Sequence, residues 1–399
     1  MGRSPATNPF TPGFGNLPRV FAGRKTEFAD LELLVDRLAQ GIYEQVRLVT
    51  GDRGVGKTTL LRELEEEQRE AGRWVVRASA TRGDAVIGRL CRGLATLLHE
   101  RDVAAGLARG ARDALRRLAG ISLGPGGVTV ELHEAGTSDR ADELEELLAA
   151  VGGLARERGT VLLLLVDEAQ NIGLDALGDL FHALQEVQGR VVATRDGRSG
   201  ALRRDALPVG AVVAGLPGLV GRLKNAGSTF GERSKPLPLR GFGEGDMREG
   251  LRALAREGGA TFDADALELL MAACGGYPYF LHLIGSQMWN AGDGAVITRA
   301  DAAAGLAAAR PLVTDFYEQR LRELGPLQRR YLHAAARLED RARTTGAIAA
   351  ALGRRSEQLG STQQALTAQH GLLRPTGDGR LEFALPGLAD HLRATADDA

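Results

Sequence analysis

The stretch RLVTGDRGVGKTTLLREL, residues 47–64, decides how this chain is read. A short β-branched run leads into a glycine-rich turn, and KTTLLREL then continues with helix-like spacing. Gly51, Gly56, Lys57 and Thr58 satisfy the pattern G-x-x-x-x-G-K-[ST], with a further glycine at position 54. Such a loop wraps backbone N–H groups around phosphate oxygens, aims a lysine at the outer phosphates and offers a hydroxyl to Mg²⁺. The helix that begins here adds its positive dipole end. A strand before and a helix after separate this loop from a chance glycine-rich turn. Gly51, Asp52, Arg53, Gly54, Val55, Gly56, Lys57, Thr58 and Thr59 are therefore expected to hold a nucleotide's phosphates, with Thr58 on Mg²⁺.

Phosphoryl transfer also needs a carboxylate for the metal and a group that orients the attacking water. LLLLVDEAQ, residues 162–170, supplies both. Asp167 at the strand's end is expected at the metal, and Glu168 beside it is expected to polarise the lytic water. The same two acids in another context would read as a solvated turn.

Composition bounds the alternatives. A chain of 399 residues exceeds what one core serves, so two or three domains are expected. Fifty basic against 51 acidic residues give a formal charge of −1, so no whole-chain field advertises a polyanion. Lysine occurs only at positions 25, 57, 224 and 235, which sets Lys57 apart from filler. Cys91 and Cys274 stand far apart in helical contexts and read as reduced, buried thiols. MGRSPATNPF has no apolar core, and TVLLLLV at 160–166 is too short to span a bilayer. A cytoplasmic protein with no membrane partner is the expectation.

Residues 1–20 read as an extended arm. From 21 to 242 strands alternate with helices: QVRLVT, RWVVRASA, TVLLLLVD, GAVVAGLP and KPLPL are the strands, and GISLGPGGVTVEL carries a hairpin signal around Gly-Pro-Gly-Gly. The third strand is apolar at every position, as in a parallel sheet covered on both faces. The fold class is thus α/β, a doubly wound parallel sheet. Residues 243–312 read as four helices, an all-α lid. Residues 313–399 read as three helices and a hairpin turning at Gly377-Asp378-Gly379, the pattern of a winged helix.

With these motifs in place the chain resembles the AAA+ ATPases, and within them the bacterial proteins allied to the origin-recognition and STAND-type clade. The resemblance runs through NPFTPGFG and VFAGR, the loop GDRGVGKT, LLLLVDEAQN, the sensor 1 strand VVAGLP, the sensor 2 helix GGYPYFLHLIGSQMW and the winged-helix tail. It implies that Val20, Phe21 and Gly23 lie near adenine, that Tyr277 and Pro278 border the nucleotide, and that Arg233 acts as an arginine finger on a neighbouring subunit of a homo-oligomer. A solvated surface arginine is the equal alternative for Arg233. Two positions depart from the pattern: Gly215 lacks a polar side chain, and Tyr277-Pro278-Tyr279 replaces the sensor 2 arginine. Slow turnover in an isolated monomer is the consequence.

The output has two readings. Gln358, Ser361, Thr362 and Gln363, flanked by Arg354, Arg355 and Arg380, suit base edges and phosphates of duplex DNA. Residues 322–399 hold eleven arginines against nine acids, so the tail is only mildly basic. The second reading is an ATP-bound signalling regulator or scaffold with little turnover, its winged helix docking a protein. GRVVATRDGRSGALRR, residues 189–204, is a further basic segment with a turn at Asp196-Gly197, read either as a substrate-touching hairpin or as a solvated insertion.

Overall fold

The computed structural model describes residues 2–13, 15–81, 86–124, 127–130, 140–195, 200–227 and 229–395. Its strand Leu162–Asp167 is buried at every position, as four leucines and a valine in a row require. Each fully buried leucine contributes about 1.5–3 kcal/mol of hydrophobic stabilisation. The strand sits inside a five-stranded sheet ordered 74–79, 162–167, 209–215, 47–50, 235–238. Every neighbouring pair runs parallel. Helices Val86–Glu100, Arg109–Ala119, Arg140–Glu157, Leu174–Gly189 and Leu219–Ala226 share one apolar core with these strands. The α/β expectation holds. The helices Val86–Glu100 and Arg109–Ala119 are separated by a short 3₁₀ turn, Ala104–Gly106.

The chain divides into two units. The first, Thr26–Thr50 with Leu60–Pro238, contains the whole five-stranded sheet. Arg47 opens one of its central strands although it is only 1% exposed. Asp30 and Glu44 each lie 2.8 Å from its guanidinium, and the Gln45 carbonyl accepts at 2.9 Å. A buried charge survives only with such partners. Strands Val191–Arg195 and Leu202–Ala206, which overlap the basic segment, pair antiparallel, and Asp196 and Gly197 lie outside the described residues. A second antiparallel pair, Ile121–Gly124 with Gly127–Val130, stands where the Gly-Pro-Gly-Gly signal placed it.

The second unit joins Met1–Lys25, Gly51–Thr59 and Leu239–Ala399. Its N-terminal segment is docked rather than loose. Buried Arg3 donates to the carbonyls of Gly294, Met288, Trp289 and Val296 and pairs with Asp301 at 2.6 Å. Phe10 packs against His282 and Trp289. Burial lowers the His282 pKa to about 4, and the neutral ring's Nδ1 accepts from the Thr11 N–H at 3.2 Å. Helices Glu244–Glu257, Ala264–Cys274 and Pro278–Asn290 follow, and then one helix runs from Arg299 to Arg322. A proline inside a helix removes one backbone hydrogen bond and ordinarily ends or kinks it. This helix continues through Pro311: Pro311 and Ala307 both lie on the exposed side, where a carbonyl without its N–H partner is open to solvent, while Ala309, Phe316, Tyr317 and Leu321 anchor the buried side. The boundary drawn at 312/313 therefore falls inside a helix.

Residues 326–395 hold helices Pro326–Arg337 and Thr345–Ala351, a broken helical segment at 356–369, the antiparallel pair Leu373–Pro375 with Leu381–Phe383, and helix Leu388–Ala394. The third of the three helices expected in this tail, SEQLGSTQQALTAQ, is 3₁₀, then α, then π. Thr367 explains part of the break, since its hydroxyl donates to the carbonyls of Gln363 and Gln364 at 3.0 and 3.2 Å. Of the side chains read as facing DNA, Thr362 is buried and Gln363 accepts from Thr345 at 2.8 Å inside the fold, while Gln358 and Ser361 are exposed. Cys91 and Cys274 are free and buried; burial pushes the Cys91 thiol up to about 12 and that of Cys274 higher still. Among the described residues no helix is long and apolar enough to cross a membrane.

Candidate functional site

The phosphate loop is shaped by what its glycines leave out. Gly54 and Gly56 adopt φ of +78° and +97°, in the left-handed region that side chains rarely tolerate. A Cβ on Gly54 would stand 2.2 Å from the Tyr277 hydroxyl, and one on Gly51 would stand 2.5 Å from the Leu239 carbonyl oxygen. At Gly56 a Cβ would meet nothing within 4 Å. The loop is thus packed on one side and open at Gly56, which fits a phosphate group. Buried Lys57 donates from Nζ to the carbonyls of Gly51 and Asp52, both at 2.8 Å.

Residues distant in sequence hold this loop. The Tyr277 hydroxyl donates to the Arg53 carbonyl, and burial keeps that phenol protonated far above its ordinary range. Arg24, 5% exposed, donates to the carbonyls of Val55 and Arg240, each at 2.7 Å, and lies 4.6 Å over the Phe242 ring. Gly15 approaches Thr58, and the Thr59 hydroxyl donates to the Asn16 carbonyl at 3.4 Å. Gly23, at φ +73°, is pressed against Phe242, and Val20 and Phe21 are half-buried. Pro278 starts its helix at the first turn. Sequence reasoning missed Arg24, whose signal was an arginine directly after the VFAG turn.

Asp52 carries a cost. Burial raises its carboxyl above the usual carboxylate value, against the pull of Arg374 at 3.8 Å and of Lys57. Arg374 comes from the strand Leu373–Pro375, more than 300 positions along the chain, which no local pattern announces.

In the sheet-bearing unit, Asp167 closes its strand at 2% exposure, and its Oδ1 accepts from the Glu168 N–H at 2.8 Å. Glu168 adopts φ +55°, strained for a non-glycine residue. Its carboxylate accepts from the Gln170 amide, and the Gln170 carbonyl oxygen accepts from the Leu216 N–H at 3.1 Å. Gly215, paired with Thr50 across the sheet, is directly before Leu216. Arg233 is exposed on the turn before Lys235–Pro238.

Residues 20–193 match the AAA ATPase domain family, and residues 314–392 match a domain of unknown function (DUF8462). In structure the chain is similar to the Walker-type ATPase PABY2304 of Pyrococcus abyssi, with 17% identity, a TM-score of 0.63, and coverage of 96% of this chain and 99% of that one. Orc1 of Aeropyrum pernix in complex with DNA aligns with 18% identity over 100% of this chain and 97% of that one, at a TM-score of 0.45. The Thermotoga maritima RuvB Holliday junction branch migration motor aligns with 16% identity over 94% and 95%, also at 0.45. No curated protein matches the sequence. Over residues 20–193 the chain matches the AAA ATPase domain, and its fold is that of the P-loop AAA+ ATPases.

Proposed function

We propose that this protein is an Mg²⁺-dependent ATPase that works as a nucleotide-controlled switch. The open cradle at Gly56, next to a buried lysine whose ammonium donates to the loop carbonyls of Gly51 and Asp52, supports this reading most directly. Phosphate oxygens replace those carbonyls as partners of the Lys57 ammonium, and the amides of residues 51–59 take the rest of the charge. Mg²⁺ held by Thr58 and Asp167 would supply further neutralisation of the outer phosphates. Glu168 orients the attacking water and accepts its proton. Arg233 serves a neighbouring subunit, where an arginine in trans adds on the order of a thousandfold or more. Val20, Phe21 and Gly23 border the base, with Tyr277 and Pro278 on the loop's far side. Residues 313–399 act as a winged helix on duplex DNA, with exposed Arg354 and Arg355 at phosphates, in a cytoplasmic homo-oligomer.

Gly215 and Tyr277, where a polar side chain and an arginine would speed hydrolysis, favour a second reading: an ATP-held regulator with little turnover whose tail docks a protein. Lys57→Ala is expected to abolish binding of a fluorescent ATP analogue. Glu168→Gln should keep that binding and slow hydrolysis by on the order of a hundredfold or more. Equal ATP affinity in Lys57→Ala and the parent overturns the nucleotide site. A turnover that rises with duplex DNA supports the switch; tight retention without turnover supports the regulator.

A further inference from the structure

We propose that Gln170 is a positioning residue for Glu168, tying its carboxylate to the end of the strand Val209–Gly215 and so filling the place that Gly215 leaves without a polar side chain. The inference rests on the reading of Glu168 as the water-activating group.

The orientation of the Gln170 amide is dictated by its partners. An ionised carboxylate only accepts, so the NH₂ group must face Glu168. The Leu216 N–H only donates, so the carbonyl oxygen must face the strand end, where it sits at 3.1 Å. A flipped amide would lose both bonds. The bridge runs from the strand carrying the acids to its neighbour in the sheet.

The room for it comes from Gly215. A Cβ there would stand 3.1 Å from Gln170 Oε1 and 3.5 Å from the Gln170 backbone nitrogen, with Leu219 at 3.0 Å. Gly215 is not in the left-handed region, so its backbone does not demand glycine. The close approach of Leu219 and Gln170 Oε1, at 3.0 and 3.1 Å, is what disfavours a side chain there. Loss of a polar group on one residue and gain of an amide on the other are therefore one arrangement.

The turn itself is pinned on its other side. Asn171 donates to the Ala80 carbonyl at 3.0 Å, past the end of the strand Trp74–Ser79. With the backbone of 169–171 held, the remaining freedom is the Glu168 side chain, and the Gln170 amide is what restrains it. A carboxylate displaced by about 1 Å from its water costs on the order of a hundredfold in rate.

The test uses the full chain. Gln170→Ala is expected to lower kcat for ATP hydrolysis by about ten- to a hundredfold, with affinity for a fluorescent ATP analogue and the melting temperature near the parent's. Gln170→Glu keeps the length and the oxygen facing Leu216 but removes the donor, and should lose at least as much. Gln170→Ala combined with Gly215→Asn places an amide in the vacated space, and recovery of part of the kcat supports the assignment. Parent-like kcat in both single variants, with Glu168→Gln inactive, overturns the inference and leaves the nucleotide reading standing. A fall in analogue affinity as large as the fall in kcat also overturns it, marking Gln170 as structural. Parent-like hydrolysis by Glu168→Gln removes the water-activating reading and this inference with it.

Discussion

The phosphate loop and the acidic turn at Asp167–Asn171 are held by opposite means. The loop depends on backbone shape: glycines at left-handed φ, carbonyls bonded to Lys57, Tyr277 and Arg24, and no space for a side chain at Gly54. The turn depends on side-chain amides, Gln170 and Asn171, each bridging to the neighbourhood of an adjoining strand. A loop built on excluded volume fails abruptly when one atom is added. A turn built on hydrogen bonds loses function in steps, because each bond contributes about 1 kcal/mol and the fold survives without it.

The sharpest way to break this contrast is Gly54→Ala. A β-carbon at φ +78° against buried Tyr277 combines backbone strain with overpacking, about 3 kcal/mol together. The variant should unfold at clearly lower urea and lose the ATP analogue. A parent-like midpoint with intact binding would show that the loop yields more readily than its packing indicates.

A smaller effect is expected for Tyr277→Phe, which keeps the ring and removes only the donor to the Arg53 carbonyl. About 1 kcal/mol of stability should go. Because burial holds the phenol protonated far above its ordinary range, this difference should not vary between pH 6 and pH 9. A difference that shrinks with rising pH would place the hydroxyl outside that bond.

The smallest effect concerns Asp52, whose carboxyl is raised above 3.8 chiefly by burial. The folded chain binds this proton more tightly than the unfolded chain does. Between 3.8 and the raised value, stability therefore falls as pH rises, and above it the charged, desolvated carboxylate remains a cost. Asp52→Asn should remove that segment of the pH profile and raise the neutral-pH urea midpoint; an unmoved midpoint would show that Arg374 and Lys57 cancel the cost of burial.

The strands, the loop and the paired acids were legible because each has a local cause. An unbroken apolar run needs burial on both faces, and a glycine-lysine-threonine pattern needs an anion. The hairpin at Gly377 and Gly379 was legible for the same reason, since both adopt φ of +83°. The segment 356–369 was not, because Thr367 competes for backbone carbonyls within a run that otherwise spells helix. Nor was the passage of a helix through Pro311, which depends on that side facing water.

The sequence by itself determined that this chain forms an α/β sheet with a phosphate loop and an acid pair at strand ends, because spacing, glycine conformation and side-chain polarity act between near neighbours. Tertiary structure alone decided the strand order, the Tyr277 hydroxyl on Arg53 across 224 positions, and the Gln170 bridge to Leu216 across 46. Those contacts join positions whose separation along the chain carries no periodic signal. Each exists only once burial of apolar side chains has folded its own unit.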